Sequence, residues 1–110
     1  MNGKMIGETT RKKLRGIFRQ CVFYTLFILG DDFRLTKEVA SSIIEEQGII
    51  CTGVRVALEY LEFLGLVERQ RIGSLNRWRI SRKGKIVRGL LVKLAELLGE
   101  KSEQSEQVQA

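Results

Sequence analysis

Through most of this chain apolar residues recur at helical spacing, but between Leu66 and Ile80 the period drops to two. Side chains alternate across a strand and recur every three or four residues on a helix face, so the change of period marks a change of element. Residues 66–72 and 77–80 read as two short strands around "GSLN", where Gly73 and Asn76 supply turn chemistry. Helical patterning on both sides leaves this hairpin as the only β-structure expected. A chain of 110 residues holds one domain with a thin surplus of buried surface. The fold class that follows is mainly α with a small β-hairpin, in the order α-α-α-β-β-α.

The first helix is expected over residues 10–29, capped by Thr10, with Leu14, Ile17, Phe18, Cys21, Val22, Ile28 and Leu29 at helical spacing. Phe23, Tyr24, Leu26 and Phe27 fill most of its remaining face, and a helix apolar nearly all round has to be covered on more than one side. One short chain has little material for that, so a second subunit is expected there. Thr36 caps a second helix carrying Val39, Ala40, Ile43 and Ile44, which Gly48 ends. Thr52 caps a third helix over residues 52–64, closed by Gly65, with Val54, Ala57, Leu58, Leu61 and Leu64 inward and Arg55, Val56, Glu59 and Glu62 outward. Two short helices joined by a few residues have helix-turn-helix geometry. Ser81 caps the last helix, whose stripe is Ile86, Val87, Leu90, Leu91, Leu94, Leu97 and Leu98. Residues 1–9 are expected to be a flexible N-terminus, 10–99 the folded domain, and 100–110, "EKSEQSEQVQA", a disordered tail with little to bury.

Charge is distributed in blocks. The net charge of +6 arises from six bases against one acid in residues 1–30 and nine against one in residues 69–99. Residues 31–68 carry three bases and eight acids. Within residues 69–85, "RQRIGSLNRWRISRKGK", seven Arg and Lys stand without an acid around the only tryptophan. Basic edges that block strand pairing account for two or three such charges, not seven. Two basic blocks point to a polyanion, with nucleic acid the first candidate. The second block, "TRKKLRGIFR", sets cations at a helix start against the dipole, which favours a phosphate partner over a merely basic helix end.

Several classes are set aside. No apolar run reaches the eighteen or so residues of a membrane span, and the N-terminus lacks the apolar stretch of a signal peptide, so a cytoplasmic, nucleoid-associated location is expected. Cys21 and Cys51 read as small buried hydrophobes, with a disulfide as the alternative. With no histidine and no cysteine pair at ligand spacing, no metal site is expected. The absence of histidine, of a phosphate-binding glycine loop and of an acid pair in a motif sets aside catalysis, and no cofactor is expected.

The order of elements, with "VRVALEYLEFLGLVERQ" followed by "NRWRISRKGK", resembles the winged helix-turn-helix transcriptional regulators, especially the MarR and PadR families. Val54, Leu58, Leu61 and Gly65-Leu66-Val67 carry the resemblance, as does Ser81 to Gly84, similar to the turn by which those families enter the helix after the wing. Small size and the absence of proline and histidine are similar to regulators of archaea and of their plasmids or viruses. The resemblance implies a homodimer built from the first and last helices, with helix three in the major groove of double-stranded DNA and the wing, residues 69–79, over the adjacent minor groove. By position, Thr52, Gly53, Arg55, Val56 and Glu59 would read bases, and Arg71, Ser74, Asn76 and Arg77 would act from the wing. Arg34, Thr36 and Lys37 would touch phosphate.

The residues themselves refine this. Alternation sends Trp78 and Ile80 inward and Arg77 and Arg79 outward, and Arg69 belongs to the same basic wing. Helix three exposes a single Arg55 beside Glu59 and Glu62, so major-groove reading and plain surface solubility both stand, while phosphate binding is the stronger expectation. Tyr60 and Phe63 are expected to pack under the wing. Two other uses of the same fold remain open: an adaptor that spreads along DNA for plasmid segregation or compaction, and a protein-assembly module docking through its acidic middle segment or its tail.

Overall fold

The computed structural model describes the backbone of residues 6–109 and the side chains of residues 6–99. Its elements are α1 (Glu8–Ile17), α2 (Gln20–Ile28), β1 (Arg34–Leu35), α3 (Thr36–Gln47), α4 (Val54–Phe63), β2 (Val67–Ile72), β3 (Leu75–Ile80) and α5 (Arg82–Gln109). Of the N-terminus expected to be flexible, residues 1–5 lie outside the described residues, and α1 takes in Glu8 and Thr9. The expected loss of structure over 100–110 falls on residues whose side chains lie outside those described.

The single first helix expected over residues 10–29 is two helices. Phe18 and Arg19 leave the helical path, with Arg19 extended at ψ 137. The reason is angular. At about 100° per residue, an unbroken helix would set Val22 and Leu26 roughly 140° and 180° away from Ile17. The break lets Ile17, Val22, Leu26 and Leu29 enter one core. α2 then lies under α3 and α4, and the core is completed by Val39, Ile43, Leu58, Leu61, Leu66, Trp78 and Ile80.

The sheet has three strands in the order β1-β3-β2, so the expected hairpin gains a third, two-residue strand. Arg34 pairs with Trp78 and Leu35 with Arg77 on one edge of β3. On the other edge β2 pairs from Val67 with Ile80 to Ile72 with Leu75. Gly73, at φ 62, takes the left-handed backbone that the two-residue turn requires.

Helix starts differ from expectation at three of four places. The N-caps are Gly7, Leu35 and Gly53, so Thr10, Thr36 and Thr52 do not cap. At α3 the task passes to Glu38, whose carboxylate accepts the Leu35 N–H at 2.8 Å. Ser81 caps α5 as expected: its hydroxyl accepts the Gly84 N–H at 2.9 Å and donates to the Gly65 carbonyl at 2.7 Å. Gly84 is required there, because a Cβ would overlap the Leu66 carbonyl oxygen.

Cys21 and Cys51 form a disulfide, correcting their reading as free hydrophobes. The bond ties α2 to the loop that enters α4. Among the described residues no helix is long and apolar enough to cross a membrane.

Candidate nucleic-acid interface

α4 is amphipathic, and its burial follows the expected stripe. Val54, Ala57, Leu58 and Leu61 go inward, which leaves Thr52, Gly53, Arg55 and Val56 exposed along one edge. Glu59 stands half-exposed beside them, with its carboxylate 3.4 Å from the Arg55 guanidinium one turn earlier. The only cation on this edge is thus balanced within the helix. At the start of α3, Lys37 is exposed, while Arg34 donates to the Ser42 hydroxyl at 3.3 Å. Thr36 is drawn inward, its oxygen accepting the Trp78 indole N–H at 2.9 Å.

The hairpin divides its four arginines into two kinds. Arg69 donates twice to Glu62 of α4, at 2.7 and 3.1 Å, and lies 5.1 Å over the Trp78 ring. Arg79 donates to Glu68 at 2.8 Å and stacks 4.5 Å over Phe33. These two hold the hairpin to the domain. Arg71 and Arg77, nearest the turn, have no carboxylate partner among the described residues. Arg71 stands opposite Asn76 and Arg77 opposite Gln70, and alternation along each strand puts these pairs on opposite faces. One free guanidinium therefore flanks each face of the hairpin tip. Ser74 is exposed in the turn, while Asn76 is half-buried with its side-chain oxygen enclosed and without a hydrogen-bond partner among the described residues.

The rest of the basic block is largely engaged too. Lys83 donates to the Leu64 carbonyl at 3.1 Å, and Lys85 pairs with Asp31. A hydrogen bond from Lys85 and then its charge hold the Asp31 carboxyl below its ordinary range. Four of the seven cations that stood without an acid in sequence thus have partners from elsewhere in the chain. Arg82, exposed and unpaired among the described residues, joins Arg71 and Arg77 as a cation free to meet a polyanion. Its position two residues past the strand, inside the basic block, is the sequence signal for it.

Tyr60 and Phe63 do not pack under the hairpin. The Tyr60 hydroxyl donates to the Lys13 carbonyl at 3.3 Å, and Phe63 stays 75 % exposed with Lys13 Nζ 6.0 Å over its ring. Both belong to the α1 side of α4.

No family model and no curated protein matches the chain. Solved structures do. A PadR-like transcription factor from Bacteroides fragilis superposes with a TM-score of 0.67 at 14% identity, over 88% of this chain and 98% of that one. The fold is a winged helix-turn-helix. Streptococcus pneumoniae FabT, solved in complex with DNA, gives a TM-score of 0.54 at 18% identity, over 77% of this chain and 59% of that one. The homodimeric winged helix-turn-helix DNA-binding domain of Mb0332 from Mycobacterium bovis gives 0.55 at 19%, over 86% and 81%. In these terms α3 and α4 are the helix-turn-helix, and β2 with β3 is the wing, as the resemblance implied.

Proposed function

We propose that the chain is a transcriptional regulator that binds double-stranded DNA as a homodimer, with α4 in the major groove and the wing along the adjacent minor groove. The observation that carries this reading is the pair Arg71 and Arg77, unpaired among the described residues, one on each face of the wing tip. A narrow minor groove concentrates negative potential, and a hairpin lying on it presents one arginine to each phosphate wall. Arg69 and Arg79 take the role of anchors, not of DNA contacts. On α4, Arg55 reads a base edge on exchanging its Glu59 partner, with Thr52, Gly53, Val56 and Glu59 around it. Arg34, Lys37 and Thr36 mark the side from which phosphate is met, Lys37 foremost because it is exposed and, unlike Arg34, has no side-chain partner among the described residues. Ser74 and Asn76 line the wing tip between the two arginines.

Dimerisation through α1 and α5 is supported by exposed Leu14 on α1 and by Leu90, Leu94, Leu97 and Leu98 on α5, of which Leu90 is 64 % exposed. Such a protein works in the compartment that holds DNA. Its disulfide agrees with an archaeal source, since intracellular disulfides are common in hyperthermophilic archaea.

A nuclease-protection footprint on DNA from the source genome tests the reading. One or a few sites of fixed length, with two half-sites about one helical turn apart, are expected. Protection that lengthens steadily with protein concentration overturns it.

A further inference from the structure

The turn at the wing tip is bracketed by two large aliphatic residues. Ile72 and Leu75 are the last cross-strand pair before Gly73 and Ser74, and they are 51 % and 56 % exposed. Residues directly opposite on antiparallel strands share a face, with Cβ atoms about 4.5–5.5 Å apart. The two side chains therefore form a single apolar edge. Alternation puts that edge on the face of Gln70 and Arg77, with Arg71 on the other. The turn does not ask for it. Gly73 alone takes the left-handed backbone, and a pair of threonines would suit both strand ends while keeping hydroxyls in water. β3 sets the edge about 17 Å from Ile80, at the opposite end of the strand from α5. Arg71 and Arg77 stand beside it without a carboxylate partner among the described residues, and residues 69–82 contain no acid.

We propose that Ile72 and Leu75 are a wedge that enters the minor groove and partly unstacks one pyrimidine–purine step, kinking the duplex where the wing lies on it. The inference rests on the reading that the wing meets the minor groove. Minor-groove proteins insert Leu, Ile and similar side chains between base steps and bend the duplex by about 20–90°. The groove, about 6 Å wide, is too narrow for a helix. The end of a hairpin narrows to one side-chain pair, which enters as the kink opens the groove. TA, CA and TG steps yield most easily. In A·T-rich sequence around a TA step, the groove is also negative enough to hold Arg71 and Arg77 on its phosphate walls. A second copy of the chain fits the edge less well, because apposing two tips would gather the free guanidinium groups of both without an acid. An apolar edge set among free cations is matched by a surface that is apolar between its anions. Base faces opened between two rows of phosphate are such a surface.

A short duplex of repeating TA steps, with 2-aminopurine in place of some adenines, tests this, since that base brightens on leaving the stack. An unbroken A-tract of the same length carrying the same base is the control, and anisotropy follows binding to both. The full chain at saturation is expected to raise the fluorescence of the TA duplex about twofold or more, and that of the stiff A-tract by less than about a fifth. Ile72→Thr with Leu75→Thr should lose the rise. The same variant should still bind with the wild-type salt slope, because Arg71 and Arg77 remain, and should melt with the wild type. Leu75→Thr alone, expected to lose about half of the rise, serves should the double variant not fold. Binding of the TA duplex without a rise, or an equal rise with both threonines in place, would overturn the wedge and leave the DNA-binding reading standing. So would a change in the sedimentation of the free protein caused by the two threonines, which would assign the edge to a contact between copies. Absence of duplex binding would overturn both.

Discussion

Trp78 is the residue on which the sheet and the helices depend together, and its removal has a calculable cost. The side chain is 0 % exposed, pairs by backbone register with Arg34 and Arg69 on its two sides, and donates its indole N–H to Thr36 at 2.9 Å. A buried indole removes about 200 Å² from water, which at ~25 cal/mol per Å² is about 5 kcal/mol. Alanine retains the Cβ share of that area, so Trp78→Ala is expected to cost about 3–5 kcal/mol, the usual range for such truncations. A domain of this size holds about 5–15 kcal/mol in all, and at ~4 °C per kcal/mol the melting temperature should fall by about 12–20 °C. Trp78→Phe keeps most of the ring and loses the hydrogen bond, and should cost about 1–2 kcal/mol. Thermal unfolding followed by far-UV circular dichroism, with the disulfide intact, measures both. An alanine variant that melts with the wild type would refute the placement of the indole beneath the sheet.

Three further outcomes follow from named contacts. The Cys21–Cys51 bond spans a sequence separation of 30, and closing a loop of that length stabilises by about 3.6 kcal/mol in the chain-entropy account; reduction should lower the melting temperature, and an unchanged melt in dithiothreitol would contradict it. Arg55→Ala should lose roughly 1–3 kcal/mol on the preferred site and little on random duplex, measured by competition binding; equal losses on both would reduce α4 to a phosphate-facing element. The uncovered leucines of α5 should make the protein a dimer at micromolar concentration, because each large aliphatic left in water forfeits roughly 1.5–3 kcal/mol; sedimentation of a folded monomer would count against it.

Residues whose roles are set by neighbours in sequence were legible. The switch of period placed the hairpin, the stripe Val54, Ala57, Leu58 and Leu61 placed the inner face of α4, and Ser81 with Gly84 placed the start of α5. What escaped depends on contacts between distant residues. No local residue marks the break at Phe18 and Arg19, which is imposed by the need to bring Ile17 and Val22 into one core. β1 is two residues long and exists because Trp78 and Arg77 present an open edge to Arg34 and Leu35. Counting charge along the chain overstated the free positive charge of the wing, since Glu62, Glu68 and Asp31 approach from outside the basic block. Thr36 looked like a cap by residue type, and the indole of Trp78, forty-two positions away, claimed its oxygen instead.

We propose that the wing meets DNA phosphate through Arg71 and Arg77, while Arg69 and Arg79 serve the fold. Fluorescence anisotropy of a labelled random duplex across a salt series reads this directly. Each phosphate contact contributes about 0.9 to the slope of log K against log salt. Arg71→Ala with Arg77→Ala should flatten the slope by about 0.9 for each arginine on each bound protomer, with the melting temperature unchanged. Arg69→Ala with Arg79→Ala should leave the slope as in the wild type and lower the melting temperature. Wild-type binding that does not respond to salt, or a slope that flattens equally in both double variants, would contradict the account.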